Sequence, residues 1–234
     1  MQDSIYTIPI SEVFEPKDGC PICRMRDMLE TRGIDYIMGA AMMEPDVRIE
    51  TNRLGFCKLH YDKMLQQKNR LSLALMLESH LKEIQEKGIK QYIPASSGGL
   101  FKKKERSKPE ETCFVCSKIQ WAEERFFDTI LKMYGQSEEF RGLFREQEKL
   151  CFPHYQELCA FASERMNKKL LPDFLKDTGS LCQKALDELG KDVSHYCKMF
   201  DYRNTGAEAD WGNSRDSIER AIAFLTSREP EKKK

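Results

Sequence analysis

The chain has 234 residues, of which 32% are charged and 40% hydrophobic, with 38 basic and 38 acidic side chains. This length and composition exclude wholesale disorder, and the zero net charge excludes a global field that would gather nucleic acid or an anionic membrane surface. With no run of about 18 apolar residues and no basic, hydrophobic leader at Met1–Ile10, the reading is a cytoplasmic protein with no membrane partner.

Along the chain the spacing is helical nearly throughout, with a short extended piece expected only around Tyr6, Ile8 and Ile10. A helix is predicted from Cys23 to about Met42, followed by a turn at Glu44, Pro45 and Asp46 and a short returning segment. A long helix is predicted from Cys57 to about Glu86, about 45 Å at 1.5 Å per residue. Leu73, Leu77, Leu81 and Ile84 lie along one side of it, and Gly88 ends it. Pro94, Ser96, Ser97, Gly98 and Gly99 then precede the basic cluster Lys102, Lys103, Lys104, Arg106 and Lys108, which reads as a solvated linker more readily than as a nucleic-acid contact.

Helical spacing resumes with Trp121, Phe126, Phe127, Ile130 and Leu131, and again after Cys151 with Leu158, Phe161, Ala162 and Met166. Pro172 interrupts that helix or begins another. Further helices are predicted over about 178–200 and 214–227, the last one amphipathic through Ile218, Ala221, Ile222 and Leu225 and so expected to dock.

Nine cysteines in a reducing compartment point to metal or redox chemistry. Cys20 and Cys23 form a C-x2-C pair, and after 33 intervening residues Cys57 and His60 form a C-x2-H pair. Cys113 and Cys116 repeat the first pattern, and after 34 residues Cys151 and His154 repeat the second. The offset between copies is 93 residues for the first pair and 94 for the second, so chance is a poor explanation. Three thiolates and one imidazole suit a tetrahedral, borderline-soft ion, and a filled shell argues for structural zinc. Taken consecutively, the pairs predict one ion at Cys20, Cys23, Cys57 and His60 and a second at Cys113, Cys116, Cys151 and His154. Each ligand pair is expected at the start of a helix, where unpaired N–H groups offset the thiolate charge. An iron–sulfur cluster and a redox dithiol are the alternatives. A zinc deaminase is disfavoured because no histidine heads an H-x-E motif.

Outside the repeat, Cys159 reads as a small buried hydrophobe, and Cys182, His195 and Cys197 lack a second spaced pair that would support a third metal site. His80 reads as a core-edge or solvent histidine. Tyr61 and Tyr155, which follow the two ligand histidines, are candidates to support the ligands from behind or to fill the core. Asp201, Tyr202, Arg203, Trp211, Arg215 and Arg220 form a candidate surface for a protein partner, against the plainer reading of a loop pinned before the last helix. No nucleophile and base pairing, phosphate-cradling loop or nucleotide fingerprint supports an enzyme.

Cys20-Pro21-Ile22-Cys23, Gly55-Phe56-Cys57-Lys58-Leu59-His60 and Phe200-Asp201-Tyr202-Arg203 together resemble an uncharacterised family of bacterial proteins, a domain-of-unknown-function group. The resemblance spans about Ile8 to Leu225 and supports the double cysteine-histidine layout without adding a mechanism. The second copy departs from the first at Leu150 and Pro153. The reading is therefore an all-α protein with a first zinc-stapled helical unit at 1–90, a flexible basic linker at 91–112, a second zinc-stapled unit at 113–177 and a C-terminal helical segment at 178–234. It would carry two zinc ions and act as an interaction or regulatory scaffold. The alternatives are a thiol-based redox sensor or metalloenzyme with one labile site, and nucleic-acid binding through the basic linker.

Overall fold

The computed structural model describes residues 9–89, 113–201 and 210–230, and these contain helices and no strand. Ten α-helices follow in order: α1 (Ile10–Phe14), α2 (Pro21–Met38), α3 (Pro45–Leu54), α4 (Lys58–Gln66), α5 (Arg70–Lys87), α6 (Phe114–Gln136), α7 (Glu138–Arg145), α8 (Phe152–Arg165), α9 (Leu171–Lys198) and α10 (Ser217–Thr226). A 3-10 turn, Ala40–Met43, sits between α2 and α3. None of the described helices is long and apolar enough to cross a membrane.

Several boundaries differ from expectation. Ile10 opens α1 instead of closing an extended piece, while Tyr6 and Ile8 lie outside the described residues. Pro45 begins α3 at its first turn, where a missing N–H costs nothing, so the expected turn and returning segment are a helix. The single long helix from Cys57 is instead two, because Asn69 accepts the Ser72 N–H through its side chain and starts α5 afresh. Pro172 stands in the first turn of α9, which opens at Leu171, seven residues before Thr178. The whole predicted linker at 91–112, including Lys102–Lys108, falls outside the described residues, as do Tyr202 and Arg203.

The described chain divides into two compact units, residues 28–89 with 113–124 and residues 9–27 with 125–201 and 210–230. The division falls inside α2, after Asp27, and inside α6, after Glu124. It does not follow the order of the two sequence repeats.

In the first unit α3 packs on α5 around Val47, Leu73 and Met76, with Ile34, Ile37 and Ala41 also buried. Polar ties fix that pair: Arg48 donates to the Leu75 carbonyl at 3.0 Å, and the Ser79 hydroxyl donates to Asn52 Oδ1 at 2.7 Å. His80 is half-buried, at the core edge. Its Nδ1 donates to the Asn52 carbonyl at 2.6 Å, and its ring leaves no room for a side chain at Gly55, where a Cβ would stand 2.9 Å from Nε2.

In the second unit α8, α9 and α10 pack together, and α9 buries the single stripe Phe174, Thr178, Leu181, Cys182, Ala185 and Leu189. An aromatic cluster forms the rest of the core. Phe14 meets Phe140 at 5.2 Å between ring centroids, and Tyr134 meets Phe174 edge-on at 4.9 Å. The Tyr134 hydroxyl donates to Asp177 at 2.6 Å, and Arg145 donates to the same carboxylate oxygen at 2.7 Å. Burial and the Asp177 charge push the Tyr134 phenol up to about 12. Gln147 donates to the Phe14 carbonyl at 2.8 Å, which ties α1 to the segment after α7.

Phe144 is 0% exposed and touches Phe14, Tyr134, Phe140 and Phe174, whereas Phe200 is 66% exposed. Phe144→Ala is expected to cost about 3–5 kcal/mol in denaturant unfolding and Phe200→Ala about 0.5 kcal/mol or less. Equal losses would contradict this core.

Candidate metal centres

All four ligand pairs are built in the same way. Cys20, Cys57, Cys113 and Cys151 each stand immediately before a helix, and the second ligand of each pair falls in its first turn. Each leading cysteine's carbonyl accepts the N–H four residues on, from Arg24, Tyr61, Ser117 and Tyr155, at 2.9–3.1 Å. The leading cysteine is therefore a cap with an extended backbone, as at Cys57 (φ −74°, ψ 164°) and Cys151 (φ −70°, ψ 157°). Its Sγ and the ligand three residues later share one side of the helix start. At Cys113 the Cys116 N–H also points to the sulfur, at 3.5 Å. The expected placement at helix N-termini holds, and the partial positive charge there faces the thiolates.

The pairs are not joined consecutively. Cys20 and Cys23 meet Cys151 and His154, while Cys57 and His60 meet Cys113 and Cys116. This corrects the expected quartets: the outer two pairs of the sequence form one centre, the inner two form the other, and each centre lies within one compact unit. In the outer centre His154 Nδ1 lies 3.6, 3.3 and 3.1 Å from the sulfurs of Cys20, Cys23 and Cys151, and the Cys23 and Cys151 sulfurs are 3.6 Å apart. In the inner centre His60 Nδ1 lies 3.2, 3.1 and 3.5 Å from those of Cys57, Cys113 and Cys116, with Cys57 and Cys116 sulfurs 3.9 Å apart.

Local backbone devices hold each meeting point. In the inner centre Gly55 takes φ +65°, a conformation that L side chains avoid, and its carbonyl accepts the Phe114 N–H at 3.0 Å. That bond couples the approach to Cys57 directly to the start of α6. Phe56 packs edge-on against both Tyr61 and Phe114. In the outer centre Gly19 (φ +63°) donates its N–H to Glu148 at 2.5 Å, and the Glu148 N–H donates back to the Lys17 carbonyl at 3.3 Å. Leu150, not a glycine-phenylalanine step, precedes Cys151 and is fully buried.

Electrostatics in both centres favour a cation. Donation from Cys116 lowers the Cys113 thiol to about 3 against the cost of burial, and the resulting thiolate pushes Cys116 well up. At Cys20 burial opposes ionisation, but Cys151, Cys23 and His154 together hold the thiol well below its usual value, and Cys151 is pushed up in turn. Burial lowers the His60 and His154 imidazoles, yet the neighbouring sulfurs outweigh it and raise them to about 9 and about 10. Several buried thiols compete to be the one that ionises, and a dication would remove that competition.

The group behind His60 is a glutamate. Glu30 on α2 accepts from His60 Nε2 at 2.8 Å, its second oxygen accepts from the Lys63 ammonium, and the Glu30 and His60 side chains are 1% and 0% exposed. Tyr61 instead packs on Phe56, and Tyr155 lies near Cys159 and Cys182, whose charges raise its phenol. A signal for Glu30 exists in the repeat. Glu30 follows Cys23 by seven residues, and Glu123 follows Cys116 by seven, two turns along each helix.

The remaining candidates have other uses. Among the described residues no possible metal group includes Cys159, Cys182, His195 or Cys197. His195 Nε2 donates to the Asp210 carbonyl at 2.9 Å. Cys182 is buried and Cys197 exposed, while Cys159 is half-buried, and burial lifts its thiol to about 11. Trp211 packs on Tyr196 and Phe200 with Arg215 over its ring, and Arg220 pairs with Asp192 and Asp216. Among the described residues of that candidate surface, Trp211 and Arg220 thus make contacts within the chain.

A model of the family of unknown function DUF6062 matches residues 1–232. The chain belongs to that family. Searches of curated proteins and of solved structures find no match. Family membership agrees with the resemblance carried by the C-P-x-C, G-F-C-x-x-H and F-D-Y-R segments and assigns no activity to the two centres.

The nested pairing has a direct test, because two cysteine changes can strike one centre or both. Cys57→Ser with Cys113→Ser is expected to abolish metal binding at one centre and spare the other. Cys20→Ser with Cys57→Ser should abolish both. Consecutive pairing requires the opposite outcome when bound metal per chain is counted by elemental analysis.

Proposed function

We propose that this chain is a helical scaffold protein in which two zinc ions act as structural staples, one in each Cys3His centre. The observation that carries the reading is the shape of the quartets. Zn–S bonds of about 2.3 Å and Zn–N bonds of about 2.0–2.1 Å in a tetrahedron set S···S edges of about 3.8 Å and S···N edges of about 3.6 Å. The sulfur pairs stand at 3.6 and 3.9 Å and the sulfur–nitrogen pairs at 3.1–3.6 Å. In each centre all four donor atoms lie within 4.8 Å of one another, a cage for one ion and too small for a multi-iron cluster. Four protein ligands fill a tetrahedron and leave no position for water or substrate, which supports a structural role over a catalytic one.

The residues themselves do the folding work. Each C-x2-C or C-x2-H pair is presented by a helix start, so binding one ion fixes two helices against each other and closes a long chain segment. Apparent binding energies of about 10–16 kcal/mol for such sites rival the whole net stability of a domain, about 5–15 kcal/mol. The surface that such a scaffold offers would most simply meet another protein. Cytoplasmic residence fits the reading, because reduced thiols are needed for the ligand set.

Protein purified without added metal is expected to carry about two zinc ions per chain. A strong chelator should then remove both with loss of helical circular dichroism, and re-addition of zinc should restore it. Alkylation of the six ligand cysteines should be slow until the chelator is added. A coloured iron centre, or native helicity in metal-free protein, would overturn the structural-zinc reading. Fast alkylation of the half-buried Cys57 and Cys116 while zinc remains bound would instead favour a labile, thiol-reactive site.

A further inference from the structure

We propose that Glu30 is the positioning residue of the inner centre: it fixes His60 as an Nδ1 ligand and thereby sets how tightly Cys57, His60, Cys113 and Cys116 retain their ion. The inference rests on the metal reading above and extends it to a residue outside the ligand set.

An imidazole can bind a metal through either nitrogen, and the hydrogen bond at the other nitrogen decides which one is free. Here Nδ1 faces three sulfurs at 3.1–3.5 Å, and Nε2 faces Glu30 Oε1 at 2.8 Å. A carboxylate can only accept at that point, so Nε2 carries the hydrogen, and Nδ1 is the nitrogen that would give up its proton and present its lone pair to an ion in the quartet. The negative charge also makes the imidazole a stronger donor to a cation.

The placement of Glu30 is costly and therefore informative. A carboxylate that is 1% exposed needs partners in hydrogen-bonding contact to stay charged. His60 supplies one, and Lys63, three residues further along α4, supplies another. The Lys63 side chain is 37% exposed, so its ammonium reaches in from the surface to hold the second oxygen. A packing role alone would be filled as well by leucine or methionine at less electrostatic cost. Glu30 arrives from α2, whose first turn carries Cys23 of the other quartet. Seven residues, about 10.5 Å of helix, separate the two roles.

The test uses full-length protein with Glu30→Leu and Glu30→Gln, loaded with zinc and challenged with a chromophoric chelator. Wild type is expected to show two sites. Glu30→Leu should weaken one of them about 10–100-fold and leave the other unchanged, and Glu30→Gln, which keeps an acceptor but loses the charge, should fall between. Long-range proton–nitrogen NMR supplies a readout that a packing role would not move: the His60 Nε2–H signal should shift in both variants while His154 stays constant. If Glu30→Leu loses its helicity, Glu30→Gln decides alone. Wild-type zinc retention with an unmoved His60 signal would overturn the proposal and leave the zinc reading intact. Wild-type protein that takes up no zinc would instead sink the zinc reading itself.

Discussion

The rest of the structure depends on the convergence of two helix starts on one small volume, achieved twice. A pair of ligands three residues apart is a local event, set by a cap and the first turn that follows. Bringing two such pairs within bonding reach is not local. In the outer centre the partners are separated by 128 to 134 positions, and in the inner centre by 53 to 59. Without an ion the same side chains are a crowd of buried thiols of which few can ionise at once. Charge and geometry are thus both suited to a cation at the middle of each quartet.

The nested pairing changes what an ion at each centre would close. Consecutive pairs would each have closed a segment of about 34 residues. The observed pairing closes one segment nested inside a much longer one. Loop-closure entropy grows with the logarithm of length, so a clip between positions 128 apart removes about 1 kcal/mol more unfolded-state freedom than one across 34. The near-equal ligand spacing of the two sequence copies conceals this arrangement: units bounded by repeats are not the compact units of the chain, which divide within α2 and α6.

Polar groups around the centres follow from burial. Glu30 and His60 are buried together, with Lys63 closing the line to the surface. Gly55 is required by a positive φ and by the ring of His80, and its carbonyl reaches α6. Elsewhere, residues that look free in the sequence are already committed, as Arg220 is to Asp192 and Asp216 and Trp211 is to Tyr196 and Phe200.

Much was legible in the sequence because it is decided within one turn of helix: the helical class, the end of α5 at Gly88, and the eight cysteine and histidine residues of the two clusters with their placement at helix starts. The break at Gln67–Asn69 was hidden by the continuous apolar spacing on either side of it. Glu30 was hidden because a lone glutamate on a helix looks solvated until its partner histidine is placed. Pairing was beyond reach for a plainer reason. Every C-x2-C pair is chemically equivalent to the other, and so is every C-x2-H pair, so composition and spacing permit both matchings equally. Only the packing of helices distant in the chain, which determines which starts lie side by side, selects one of them.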